Sequence, residues 1–151
     1  MNIDFKPPIL LLYGYDHTSQ DFEVTSTVAL IESVTAALRE RGWHVQPVLV
    51  DRDVYGVLDG YAPPDWLVFN VCEGSPHQPF YYATVSKALA ERGFTFTGSD
   101  TDSLDETQLK WVMKRKLDES HVPTPAWAVC EDPATLRFSA FPAIVKPAAE
   151  H

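Results

Sequence analysis

Short apolar runs alternate with helically spaced apolar residues along the first two thirds of the chain. Ile9-Leu10-Leu11-Leu12-Tyr13 is continuous between Pro8 and Gly14, the pattern of a buried strand. A polar stretch from Asp16 to Asp21 follows. Val28, Ile31, Val34 and Leu38 then recur at helical spacing, which predicts a helix stopped by Gly42. Trp43 to Val50 reads as a second strand, and Val54 to Leu58 as a short helical turn. Pro63-Pro64 breaks the chain before a third strand, Trp66 to Phe69. Pro79 suits the first turn of a further helix, which runs to Arg92 and stops at Gly93, and Phe94 to Thr97 is a fourth strand. The two helix exits, ALRERGWHV and ALAERGFTF, are the same solution used twice: a charged last turn, a glycine, then a strand. Strands alternating with helices predict parallel pairing and an α/β fold, with four parallel strands flanked by helices up to about Ser99.

The pattern changes after Gly98-Ser99, and a boundary is expected between Ser99 and Asp102. Ser103-Leu104-Asp105-Glu106 has the form of a capping box opening a third helix. Leu109, Val112, Met113 and Leu117 form its apolar face, and Val122-Pro123-Thr124-Pro125 ends it. Trp127 to Cys130 and Pro142 to Lys146 read as strands, the second because Pro147 disfavours helical backbone at Lys146. The first part reads as a complete domain and the second as the opening of another, which stops abruptly at His151.

Composition narrows the function. The 151 residues are 45% hydrophobic, which suits one compact domain, or one domain plus a piece of a second. The formal charge of -9 is opposite to what a nucleic-acid binder needs to displace counterions from phosphates. An anionic ligand must therefore be held by a few local cations. Cys72 and Cys130 make no disulfide framework, so a reduced, cytoplasmic setting is the expectation. The apolar run near the N-terminus is too short and wrongly flanked for a signal peptide, and no segment reaches membrane-spanning length.

Candidate chemistry begins in the loop GYDHTSQDFEVTS, at the carboxyl end of the first strand, where open α/β sheets bind ligands. It carries neither the dinucleotide glycine fingerprint nor a P-loop. Asp21 and Glu23 suit a cationic amine, although acids near a helix start also favour its dipole, and composition alone favours the dipole. Asn70 and Glu73 lie at and just past the end of the third strand. Cys72 lacks a nucleophile elbow and reads as a small buried residue. Lys110 and Lys114 share one helix face and, with Arg115 and Lys116, form the densest basic cluster of the chain. Most such runs are solvated faces. Lys146, behind the apolar lead Phe141-Pro142-Ala143-Ile144, suits a phosphate. His17, His44, His77, His121 and His151 show no metal-ligand spacing, and His44 reads as structural.

VFNVCEG, FTFTGS, KWVMK followed by VPTP, and FPAIVKP stand in this order in the sequence. Together they resemble the D-alanine–D-alanine ligases, ATP-grasp enzymes that join a carboxylate to an amine. The start of the first helix, DFEVTS, resembles the acidic E-x-E-V-S of that family. The resemblance spans nearly the whole chain. It implies a Rossmann-like pre-ATP-grasp domain over 1–100 and the truncated start of an ATP-grasp N-lobe over 101–151. Lys110 and Lys146 match the family's two phosphate-contacting lysines, and Asp21 stands where the family has a glutamate that holds the first substrate's amine. Glu23, Asn70 and Glu73 are grouped with Asp21 as substrate-binding residues, and no catalytic residue is assigned.

The implied chemistry is ATP-dependent acyl-phosphate formation followed by attack of an amine, with ATP and Mg²⁺ as cofactors of the full-length enzyme and no metal ligand in this segment. The implied partner is a small amino-acid or carboxylate substrate. Nucleic acid and membrane are not expected, and a homodimer is left open. There are departures. Gln108-Leu109-Lys110 replaces M-D-K, CEGSPHQPFYY lacks the family's second glycine pair, and Asp21 replaces a glutamate. They point to a relative with its own substrates. Residues 1–151 alone are not expected to catalyse ligation. A non-catalytic flavodoxin-like binding or dimerisation module explains the α/β core but leaves the two lysine motifs unexplained.

Overall fold

The first apolar run forms β1 (Ile9–Tyr13), whose side chains alternate between two cores. Leu10 and Leu12 enter one and Ile9 and Leu11 the other. A strand buried on both faces must be apolar at every position, which is why the run is unbroken. The structure, a computed structural model, describes residues 6–14, 21–73, 78 and 80–148, without the side chain of Asp21. The chain divides into two compact units, Met1–Thr101 and Asp102–His151.

In the first unit β1 is followed by α1 (Asp21–Glu40), β2 (Val45–Leu49), α2 (Val54–Leu58), β3 (Leu67–Asn70), α3 (Tyr81–Glu91) and β4 (Thr95–Phe96). All strand pairs are parallel and the order is β2-β1-β3-β4. Ile9 faces Val45 on one side and Leu67 on the other. The strand order reverses between β1 and β3, so the connections diverge there, at the position where open α/β sheets bind ligands. Val54 and Leu58 of α2 and Val85, Ala88 and Leu89 of α3 share a core with Leu10, Leu12 and Val68. Ile31, Val34 and Leu38 of α1 pack with Ile9, Leu11 and Val45 on the opposite face. Val28, expected on this apolar face, is instead 37% exposed.

The two similar helix exits are one motif in space. At the first, the Gly42 amide donates to Arg39 O and the Trp43 amide to Leu38 O. At the second, Gly93 donates to Ala90 O and Phe94 to Leu89 O. Both glycines sit at φ near +79° and +78°, where a side chain would be strained. Trp43 and Phe94 are consumed by these caps, so β2 and β4 begin later than the apolar pattern suggests.

Two features of this unit shape its surface. The 20 residues of α1 span about 30 Å, whereas the five of β1 span about 17 Å, so the first turns of α1 overhang the carboxyl edge of the sheet. Phe22, on the overhang, is 76% exposed. At the margin, β2 carries Pro47. Ile9 donates to His44 O at the start of β2, and Val50 donates to Tyr13 O at its end. With the alternation of a parallel ladder, even-numbered residues of β2 bond to β1 and odd-numbered ones face outward. Pro47 therefore removes an outward donor and costs the sheet no internal bond.

In the second unit, the expected third helix is divided into α4 (Thr101–Gln108) and α5 (Lys110–Glu119). Leu109, at φ -97° and ψ 111°, breaks the run, and its carbonyl restarts the helix by accepting from Val112 and Met113. Ser103 lies inside α4, so its sequence capping box is not the start of the helix. His121, at φ 55°, closes α5 by the same double bond as the glycine exits: His121 donates to Asp118 O and Val122 to Leu117 O. The strands expected at 127–130 and 142–146 do not form. A strand exists only by pairing, and among the described residues of this unit there is no strand to pair with. Phe141, Ile144 and Val145 are correspondingly exposed, Val145 to 95%.

Candidate functional site

The residues that the sequence singled out at the carboxyl edge of the first sheet lie on segments that begin or end there. Asp21 opens α1 and Glu23 is exposed in its first turn. Asn70 ends β3 and Glu73 is exposed just beyond it. These segments flank the reversal between β1 and β3. Among the described residues no hydrogen bond or ion pair joins Glu23, Asn70 and Glu73 to one another. Asn70 is fixed locally: its amide donates to Thr97 Oγ1 at 3.1 Å, and its Oδ1 accepts from the Cys72 amide at 3.1 Å. That leaves its carboxamide NH₂ available as a donor. His17, His77 and Pro79 lie outside the described residues. His44 is exposed, with its ring tilted against Trp66 at 6.3 Å.

Two further groups lie at this edge, Cys72, which the sequence read as a small buried residue, and Tyr81, which it did not single out. Cys72 is 6% exposed, and burial pushes its thiol up to about 12. It is therefore a neutral thiol at physiological pH and no nucleophile. Tyr81 begins α3, and its hydroxyl is buried without a hydrogen-bond partner. Its pKa also rises to about 12, through burial first and then through the Cys72 thiolate formed at high pH and the carboxylates of Asp51 and Asp53. The Val54 amide pulls weakly the other way without closing a hydrogen bond. Asp53 itself caps α2, accepting from the Gly56 amide at 2.9 Å. Iodoacetamide at pH 8 is expected to alkylate exposed Cys130 and leave Cys72 untouched until denaturant is added. Equal labelling of both thiols in the native chain, read by peptide mass, would contradict this burial.

The basic cluster resolves into different roles. Lys114 Nζ bonds Thr124 Oγ1, Lys116 pairs with Glu106, and Arg115 lies 3.8 Å from Glu119 with its guanidinium over the Trp111 ring. These three are the stabilised helix face that most charge runs turn out to be. Lys110 is different. Its side chain is half-buried and has no partner among the described residues. Its amide, released by the break at Leu109, donates to Ala148 O at 3.1 Å. Lys146, two residues before Ala148, is exposed and also without a partner among the described residues. The backbone thus brings the two sequence-predicted lysines into one neighbourhood within the second unit.

Among the described residues no group of three or more His, Cys, Asp or Glu is placed to hold a metal ion, and no helix is long and apolar enough to cross a membrane. No protein-family model matches the chain. The chain is 31% identical to the uncharacterized protein y4sG of Sinorhizobium fredii, over 78% of its own length and 37% of that protein. It is 30% identical to the D-alanine–D-alanine ligase of Moorella thermoacetica, over 82% of its own length and 38% of the ligase. It spans less than two fifths of the length of either relative, and over most of its own length it is similar to a D-alanine–D-alanine ligase.

Proposed function

We propose that the chain is the N-terminal part of an ATP-grasp carboxylate–amine ligase that works through an acyl phosphate. The observation that carries this reading is the similarity to the Moorella ligase across 82% of the chain. The first unit is then the pre-ATP-grasp domain, offering Asp21, Glu23, Asn70 and Glu73 to an amino-acid or carboxylate substrate. The second is the opening of an ATP-grasp lobe. In support, no hydrophobic residue of the second unit is buried among the described residues, as expected of a segment whose core is completed by further chain.

Lys110 and Lys146 are the phosphate contacts of this reading. Two ammonium groups without a partner among the described residues neutralise a polyphosphate and hold it in line for transfer, with no covalent role. ATP supplies the phosphoryl group. Metal ligands belong to chain beyond these residues, and residues 1–151 alone are expected to turn over no substrate.

In the protein at its native length, Lys110→Ala and Lys146→Ala are each expected to weaken ATP binding or turnover about tenfold or more. The loss of one charged hydrogen bond to phosphate, about 1.5–3 kcal/mol, sets that size. The assay is ADP release dependent on an added amino acid. Wild-type ATP affinity and turnover in both variants would refute the assignment.

A further inference from the structure

A cavity of about 370 Å³ opens between α1 and the β2 margin, and none of the carboxyl-edge residues Asn70, Cys72, Glu73 and Tyr81 lines it. Val28, Ile31, Glu32, Thr35 and Arg39 line it from one stripe of α1, and Pro47 from β2. The volume is that of a small-ligand site. Tyr13 of β1 also lines it, and three of its four polar residues, Glu32, Thr35 and Arg39, stand in a row on α1.

Glu32 carries no hydrogen bond or ion pair among the described residues. Arg39 donates one guanidinium N–H to Val45 O at 2.8 Å, which fixes the group, and its other donors have no partner among the described residues. Thr35 lies between them on the helix, is 5% exposed, and its hydroxyl has no hydrogen-bond partner. A buried hydroxyl in that condition costs stability, and valine would fill the same volume without it. Something that bonds the hydroxyl would explain why it is there.

The spacing selects the ligand. Glu32 and Arg39 are seven residues apart, about 10 Å along the helix axis, with Thr35 midway. A free dipeptide has its ammonium and carboxylate at its two ends and a polar peptide group between them. We propose that this groove binds a dipeptide-sized amino-carboxylate, with its amine at Glu32, its carboxylate at Arg39 and its central polar group on the Thr35 hydroxyl. The inference rests on the first unit alone and stands whether or not the ligase reading does.

The test is an amide-resolved NMR titration of the 151-residue chain with alanylalanine, up to about 20 mM to reach weak affinities. Saturable shifts are expected at Thr35, Ala36 and Arg39. Capping the probe as its N-acetyl or C-terminal amide form weakens binding about threefold to fivefold, the scale of an exposed charge pair. Glu32→Gln weakens the free dipeptide but leaves the N-acetyl form unchanged, which a general loss of folding would not do. Thr35→Val raises the unliganded melting temperature and weakens binding. The proposal is overturned by shifts that do not saturate, by equal affinity for the capped probes, by Thr35→Val binding as wild type does, or by shifts confined to residues 70–73.

Discussion

Leu11→Ala is expected to lower the stability of the first unit by about 3–5 kcal/mol, a third or more of the total. Leu11 is fully buried in the centre of β1, between strands paired on both sides. Its side chain packs with Ile9, Ile31 and Val45. No neighbour can slide into the space, because β1 is held in register by β2 and β3. The cost is therefore lost transfer energy plus a cavity that does not collapse. A domain of this size holds about 5–10 kcal/mol in total. Leu136→Ala, at a position 38% exposed in the second unit, is expected to change stability by less than about 1 kcal/mol. Urea unfolding followed by circular dichroism separates the two. A Leu11→Ala loss of less than about 1 kcal/mol would mean that β1 is not the centre of the core.

Raising the pH from 9 to 12 should destabilise the first unit by several kcal/mol, and Cys72 carries most of the effect. Its thiol ionises near the ordinary value of 9.0 in the unfolded chain and at about 12 in the fold. Between those values the unfolded state has released a proton that the native state keeps, so stability falls as pH rises. Below pH 9 both states hold the proton and the contribution is flat. Three units correspond to about 4 kcal/mol at most. Tyr81 adds a slope of the same sign between 10 and 12. Cys72→Ala should flatten the profile between pH 9 and 10, and adding Tyr81→Phe should reduce the slope further above 10, where Tyr55, raised by its hydrogen bond to Glu91, also contributes. Identical slopes in wild type and Cys72→Ala, measured from urea midpoints, would show that the thiol is not protected by the fold.

The sheet was legible because its signals are local or periodic. An unbroken apolar run such as Ile9–Tyr13 has few readings when glycine-stopped helices flank it, and both stops formed as expected. The second unit was less legible for the opposite reason. Trp127 to Cys130 and Pro142 to Lys146 have strand-like composition, but a strand is a relation between two segments, and composition describes only one. The break at Leu109 was likewise hidden in a good helical pattern, since tertiary hydrogen bonding overrides propensity there. Among the candidate site residues, charge and spacing distinguished Lys146 from its surroundings but not Lys110 from Lys114, and only the family resemblance singled Lys110 out. The partners of Lys114, Arg115 and Lys116 set Lys110 apart in the structure as well. The orphan hydroxyls of Thr35 and Tyr81 left no trace in the sequence, because nothing in a threonine or a tyrosine says that its oxygen will be left unbonded.

In concentrated solution, the proline in β2 decides what happens when two copies meet margin to margin. An intruding strand laid along β2 finds no donor at its centre, so any ladder it starts is interrupted almost at once. The opposite margin, β4, offers only two residues. A chain with a formal charge of -9 also repels its copies before they touch. Encounters between copies should therefore end without templating, and resistance to fibril growth comes to depend on one ring that closes a backbone nitrogen on the outer side of the sheet.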